Sequence, residues 1–96
     1  MVASDGVAVG FLAVIAGTFE GATARTIDLI AVSDERQGEG VGRALVLRFL
    51  EESTGLADVA TVGTQTANEA AIRFYERLGF TVAATAYDLH GHVGLD

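Results

Sequence analysis

Apolar residues run almost without a break from Val7 to Ile15, between Asp5-Gly6 and Gly17, a pattern that predicts a well-buried strand entered through a tight turn. Met1 to Ser4 reads as the stub of a partner strand. Thr18 to Thr23 then connects to a second strand, Ala24 to Val32. Its alternation sets Thr26, Asp28, Ile30 and Val32 on one side and Ile27, Leu29 and Ala31 on the other.

The period changes after Val32. From Gly40 to Glu52 the positions Gly42, Leu45, Val46, Phe49 and Leu50 repeat at i, i+3, i+4, i+7 and i+8, the stripe of a helix packed on a sheet, and Gly55 can end it. Val59 to Gly63 supplies a short strand, so the order strand, helix, strand implies a parallel crossover. Thr66-Ala67-Asn68-Glu69 has the form of a capping box, with Thr66 accepting from the Glu69 backbone. The helix that follows carries the stripe Ala67, Ala70, Ala71, Phe74, Tyr75 and Leu78 and stops at Gly79. Thr81 to Tyr87 is read as a final strand and the rest as a polar, loose tail. The whole is an α/β fold, a mixed central sheet flanked by helices, in one domain over residues 1–96.

Composition narrows the function. Thirteen acidic residues face six basic ones, all arginine, for a net charge of -7. Such a surface repels a polyanion, so nucleic acid is not an expected partner. No apolar run approaches the ~20 residues of a membrane span and residues 1–16 lack a signal-peptide pattern, so a cytoplasmic location without membrane partners is expected. The absence of cysteine removes thiol nucleophiles and thiolate metal sites. His90-x-His92 has no nearby third ligand, and no metal site is assigned to it.

The segment from Val32 to Arg43 carries the chemistry. Gly38, Gly40 and Gly42 stand at every second position between a strand and a helix, where backbone N–H groups and a helix N-terminus can hold phosphate. A P-loop would need Lys-Ser/Thr, and a Rossmann turn would need a third Gly or Ala where Arg43 or Leu45 stands. The spacing present is Gln37-x-x-Gly40-x-Gly42. Of the flanking arginines, Arg43 is the candidate phosphate contact and Arg48 a solvated helix residue.

Gln37-Gly38-Glu39-Gly40-Val41-Gly42 after Leu29-Ile30-Ala31-Val32 is similar to the coenzyme A pyrophosphate loop of the GNAT superfamily of N-acetyltransferases. A second stretch, Asn68 to Phe80 with Tyr75 before Gly79-Phe80, resembles that superfamily's later motif, and the resemblance spans Val7 to Tyr87. It implies acetyl-CoA as co-substrate and a primary amine as acceptor. Cofactor contacts carried over are Ile30, Val32, Gln37, Gly38, Gly40, Val41, Gly42, Arg43, Asn68 and Tyr75, with the Ile30 N–H facing the thioester carbonyl. Tyr75 is the candidate acid for the coenzyme A sulfur. Asp28, the carboxylate on the expected face of Ile30 and Val32, is the candidate base; some members place a Glu where this chain has Thr26.

Full GNAT domains begin with a further strand and two helices that help form the acceptor wall, and this chain resembles the family only from the second strand onward. A homodimer in which a second copy supplies that wall is one expectation. A coenzyme-binding module without turnover is the other. Gly63-Thr64-Gln65 and Thr85-Ala86-Tyr87-Asp88-Leu89-His90 resemble members that acetylate nucleotide-activated amino sugars, while a small amine or a protein N-terminus stays open.

Overall fold

A computed structural model describes residues 2–4, 8–32, 40–65 and 67–95. Their order is β1 (Val2–Ser4), β2 (Ala8–Phe19), β3 (Ala22–Val32), α1 (Val41–Ser53), β4 (Val59–Thr64), α2 (Glu69–Arg77), β5 (Thr81–Ala84) and β6 (Leu89–Gly94). The strands form one sheet in the order β1-β2-β3-β4-β6-β5. Only β3 and β4 run parallel, joined through α1, which is the crossover expected from the helix placed between two strands.

Strand register divides the side chains between two faces. Leu12, Ile27, Ala60, Val62 and Leu89 share one face with Leu45, Val46 and Phe49 of α1 and Tyr75 of α2, and all are buried. Arg25 ties this face to the end of α1. Its Nη1 donates to Ser53 Oγ at 3.0 Å, its guanidinium lies 5.7 Å from the Phe49 ring centre, and its charge complements the helix C-terminus. The other face has no helix over it among the described residues. Phe11 and Ile15 are 42% and 52% exposed there, and Phe19 stacks on His92 at 4.9 Å. Glycines report the same asymmetry. A β-carbon on Gly10 would stand 3.1 Å from Val41 Cγ1 and 3.3 Å from Leu45 Cδ1, whereas one on Gly17 or Gly94 would meet nothing within 4 Å.

Three expectations are corrected. The first strand does not stop before Gly17 but continues to Phe19, and Thr18 to Thr23 is not a loop: Glu20 and Gly21 alone make the turn, at φ 49° and 84°. Positive φ at both central residues is the geometry whose twist matches a tight hairpin. The strict alternation of β3 also fails. Ala13 pairs with Leu29 and Val14 with Ile27, so Asp28 is an extra residue in a bulge. Thr26 is thereby placed opposite Ile15 on the open face, where it shares a 2.6 Å hydroxyl contact with Thr61, while Ile27, Ile30 and Val32 lie with the helices.

The third correction concerns the C-terminal residues. These are not a loose tail: Leu89–Gly94 form β6, inserted between β4 and β5, and the final strand read as Thr81 to Tyr87 ends at Ala84. Leu89 is fully buried and Gly91 accepts the packing of Phe80, because a β-carbon there would stand 3.0 Å from Val62 Cγ1. Both helices are present where expected, α1 at Val41–Ser53 with Gly55 at φ 90° behind it and α2 ending before Gly79 at φ 99°, although α2 begins at Glu69 rather than at Ala67.

Candidate functional site

The bulge at Asp28 creates the site. The β3–β4 ladder pairs Ala24–Ile27 with Val59–Val62 and goes no further. Beyond it β3 stays paired to β2 as far as Val32, and β4 stays paired to β6 through Gly63 and Thr64. Two parallel strands that part while each keeps its outer partner leave a cleft with backbone on both sides. A cavity of about 630 Å³ occupies it. Its walls toward the helices include Ile27, Ile30, Val62 and Tyr75; toward the open face stand Gly63 and His90, with Asp28 and Asp88 at the rim.

Tyr75 is 5% exposed, held edge-on between Phe74 at 5.0 Å and Phe80 at 5.6 Å. Burial raises its pKa above the ordinary phenol value, so the hydroxyl stays protonated at neutral pH as a hydrogen-bond donor. Ile30 and Asp28 reach the same cavity from β3. The cleft thus gathers three of the expected residues: Asp28, Ile30 and Tyr75.

The helix end lies farther along β3. Gly40 is the residue before α1, at φ 81°, and no side chain caps the helix there. The left-handed backbone explains a glycine at this position. Gly42 has a different reason: a β-carbon on it would lie 3.7 Å from Phe74 and 3.8 Å from Val32, so it faces the packed side between β3 and α2. Val41 is half-buried and Arg43 exposed on the first turn of α1. Gln37 and Gly38 lie outside the described residues.

Asn68 does not line the cavity. It is the N-cap of α2, its Oδ1 accepting from the Ala71 N–H at 2.8 Å. The capping box is therefore displaced: the helix starts at Glu69, whose carboxylate pairs with Arg73 at 3.1 Å, and Thr66 lies outside the described residues. Arg48 is solvated and pairs with Glu52, as expected.

The sequence reading did not put Asp88 or His90 in the site. His90 Nε2 lies 3.8 Å from Asp88 Oδ2, and Asp88 Oδ1 accepts from the Thr85 hydroxyl at 2.8 Å. The signal was present in the alternation Leu89-His90-Gly91-His92-Val93, a strand period that sets Leu89, Gly91 and Val93 on one face and the two histidines on the other.

A family model described as an acetyltransferase (GNAT) domain matches residues 1–82. The chain is 40% identical over 58 residues to the mycothiol acetyltransferase of Mycobacteroides abscessus, covering 59% of this chain and 20% of that one. It is 37% identical over 65 residues to the spore coat polysaccharide biosynthesis protein SpsD of Bacillus subtilis, covering 67% of this chain and 22% of that one. The chain thus spans about a fifth of the curated relatives it matches, 20% and 22%. Among solved structures, an IAA acetyltransferase from Bacillus cereus superposes with a TM-score of 0.82 at 21% identity, over 98% of this chain and 75% of that one, which is a likeness of fold.

Proposed function

Because the chain belongs to the GNAT acetyltransferase family, we propose that it transfers the acetyl group of acetyl-CoA to a primary amine in the cleft between β3 and β4. The observation that carries this reading is the parting of the strands beyond the Asp28 bulge. It leaves β3 paired on one side only over the residues next to the cavity, so main-chain groups there can bind an extended pantetheine arm as a strand would. The arm's direction follows from the chain: past Val32 lies the uncapped N-terminus of α1, whose dipole favours the pyrophosphate.

The chain's own groups divide the remaining work. A main-chain N–H at Ile30 aimed at the thioester carbonyl stabilises the charge that develops on its oxygen, a contribution typically ~10²- to 10³-fold in rate. Tyr75, kept neutral by burial, donates toward the departing sulfur. Apolar Ile27, Ile30 and Val62 exclude water around it. Acetyl-CoA supplies the activated acyl group.

The acceptor in this proposal is a primary amine. A nucleotide-activated amino sugar would bring a diphosphate to a rim that carries Asp28 and Asp88 and, among the described lining residues, no arginine. The cytoplasm, where acetyl-CoA is made and used, is the location that goes with the reading. Assembly as a homodimer is supported by the open sheet face, on which Phe11 and Ile15 stand exposed and no arginine or glutamate is placed among the described strand positions.

The test is thermal stability with acetyl-CoA. At a hundredfold excess over Kd the ligand should add about 2.7 kcal/mol, roughly 10 to 20 °C in Tm for a domain of this size. Gly40→Asp should remove most of the gain, since it sets a carboxylate and a strained left-handed residue where the phosphates bind. No shift with the parent chain refutes the donor site. Binding without thiol release from any amine would leave a coenzyme-binding module.

A further inference from the structure

We propose that His90, oriented by Asp88, is the base that takes the proton from the acceptor ammonium, and that the acceptor is a small cationic amine entering from the open face of the sheet. This rests on the acetyl-transfer reading above and adds the acceptor half that it lacks.

The residues that line the cleft come from both faces of the sheet, and the two sets differ. On the helix side the cavity meets Ile27, Ile30, Val62 and the buried Tyr75. On the open side it meets Gly63 and His90, which pair across β4 and β6 and point to the face that no described helix covers. The donor arm takes the helix side; the open side is left for the amine. Two substrates approaching from opposite sides meet at the thioester without crossing.

His90 is placed for proton transfer by what surrounds it. Its ring lies over Gly63 on the open face, where a β-carbon on Gly63 would stand 3.5 Å from Nδ1, and both residues line the cavity. Nε2 lies on the other side of the ring, 3.8 Å from Asp88 Oδ2. Asp88 is itself fixed, because Oδ1 accepts from the Thr85 hydroxyl while Thr85 Oγ1 accepts from the Tyr87 and Asp88 N–H groups, each at 3.2 Å. The tight β5–β6 connection therefore presents one carboxylate oxygen to His90. At that separation the carboxylate favours the imidazolium that forms when the ring takes a proton. Among the described residues, the other charged or titratable groups lining the cavity are Asp88, Asp28 and Tyr75, and His92 lies further along β6. The strand neighbours of His90, Gly63 on β4 and Ala83 on β5, carry none.

The proton balance closes. The His90 imidazole takes one proton from R–NH₃⁺, and the amine nitrogen forms its bond to the acetyl carbon as the carbon–sulfur bond breaks. The sulfur takes a proton from Tyr75, the second amine proton returns to Tyr75, and His90 releases its own to solvent. Amide, free thiol and one proton result. The rim explains the charge of the acceptor: among the described residues two carboxylates, Asp28 and Asp88, and no arginine line the cavity, which attracts a cation and repels a phosphate ester.

The test uses the full chain with acetyl-CoA, following thiol release from 1,4-diaminobutane and from glucosamine 6-phosphate between pH ~5.5 and ~9.5. The diamine should exceed the phosphorylated sugar in kcat/KM by on the order of tenfold or more. His90→Gln should lower kcat/KM for the diamine about 10²-fold near neutral pH and move the acidic limb of the profile up to the ionisation of the amine itself, so that rate returns as the free amine forms at high pH. Asp88→Asn should lower kcat with the acetyl-CoA-induced rise in Tm unchanged, and Asp88→Glu should recover part of the loss. An unaltered acidic limb in His90→Gln overturns the assignment of the base. A parent chain that is stabilised by acetyl-CoA yet ignores the diamine, or prefers the phosphorylated sugar, overturns the acceptor class. Absence of the Tm rise in the parent marks failure of the donor site instead.

Discussion

Two glycine-to-alanine substitutions on the same strand should move stability in opposite directions. At Gly10 a new β-carbon would sit 3.0 Å from the Ala31 carbonyl oxygen, 3.1 Å from Val41 Cγ1 and 3.3 Å from Leu45 Cδ1. The two α1 side chains can give way by a few tenths of an ångström; the β3 carbonyl belongs to the backbone, so the β2–β3 pairing must shift beside it. Overpacking of this kind costs about 1 to 3 kcal/mol, which for a domain of this size lowers Tm by about 4 to 8 °C per kcal/mol. Gly17 has nothing within 4 Å of the added carbon and no positive φ. There the methyl only restricts the unfolded chain and should stabilise by ~0.4 to 1 kcal/mol. Urea unfolding of both variants, with unchanged m-values as the check on two-state behaviour, measures the difference. Equal destabilisation by Gly17→Ala and Gly10→Ala would refute the placement of both helices on one face.

Removing the Asn68 cap by Asn68→Ala should cost about 1 kcal/mol, seen as a fall in Tm and faster amide exchange in the first turn of α2. A loss of acetyl-CoA binding without a loss of stability would instead place the amide on the coenzyme. Tyr75→Phe should slow thiol release while leaving the acetyl-CoA Tm shift, and unchanged turnover would dismiss the phenol as the acid. The same substitution has a pH signature. Burial raises the folded pKa of Tyr75, so its contribution is complete below the unfolded value near ~10 and is lost as pH climbs through the folded one. The parent should therefore lose stability in alkali more steeply than Tyr75→Phe.

The helices were legible in the sequence because their signals are local. The stripe through Leu45, Val46 and Phe49 and the stops at Gly55 and Gly79 depend only on helical period and left-handed backbone. What the chain did not disclose is set between strands. The bulge at Asp28 is defined by the count of residues opposite Ala13 and Val14 on β2, and no pattern within β3 marks it. β6 was hidden for a related reason: of its three inward positions, Leu89, Gly91 and Val93, the middle one is a glycine on which Val62 and Phe80 press, and histidines alternate with them, so hydropathy reads the strand as a polar tail. Asn68 shows the converse, since its type fits a helix cap and a coenzyme contact equally well, and only the 2.8 Å bond to Ala71 shows the cap in place.

The hidden strand is also the one on which the cleft depends. Parting two parallel strands ends the ladder between them, an arrangement that is rigid only if the opposite edges stay bonded. For β3 the partner is β2, which follows from a hairpin. For β4 it is β6, through Gly63 with His90 and Thr64 with Leu89, and no other described strand is adjacent there. Leu89 buries itself under α2 at the position that ends this pairing, so the core anchors the far wall of the cavity. His90 follows on the opposite face by simple alternation. The residue that holds β4 in place and the residue that faces the acceptor side are therefore consecutive, and a single-residue slip in β6 would bury the imidazole and expose the leucine.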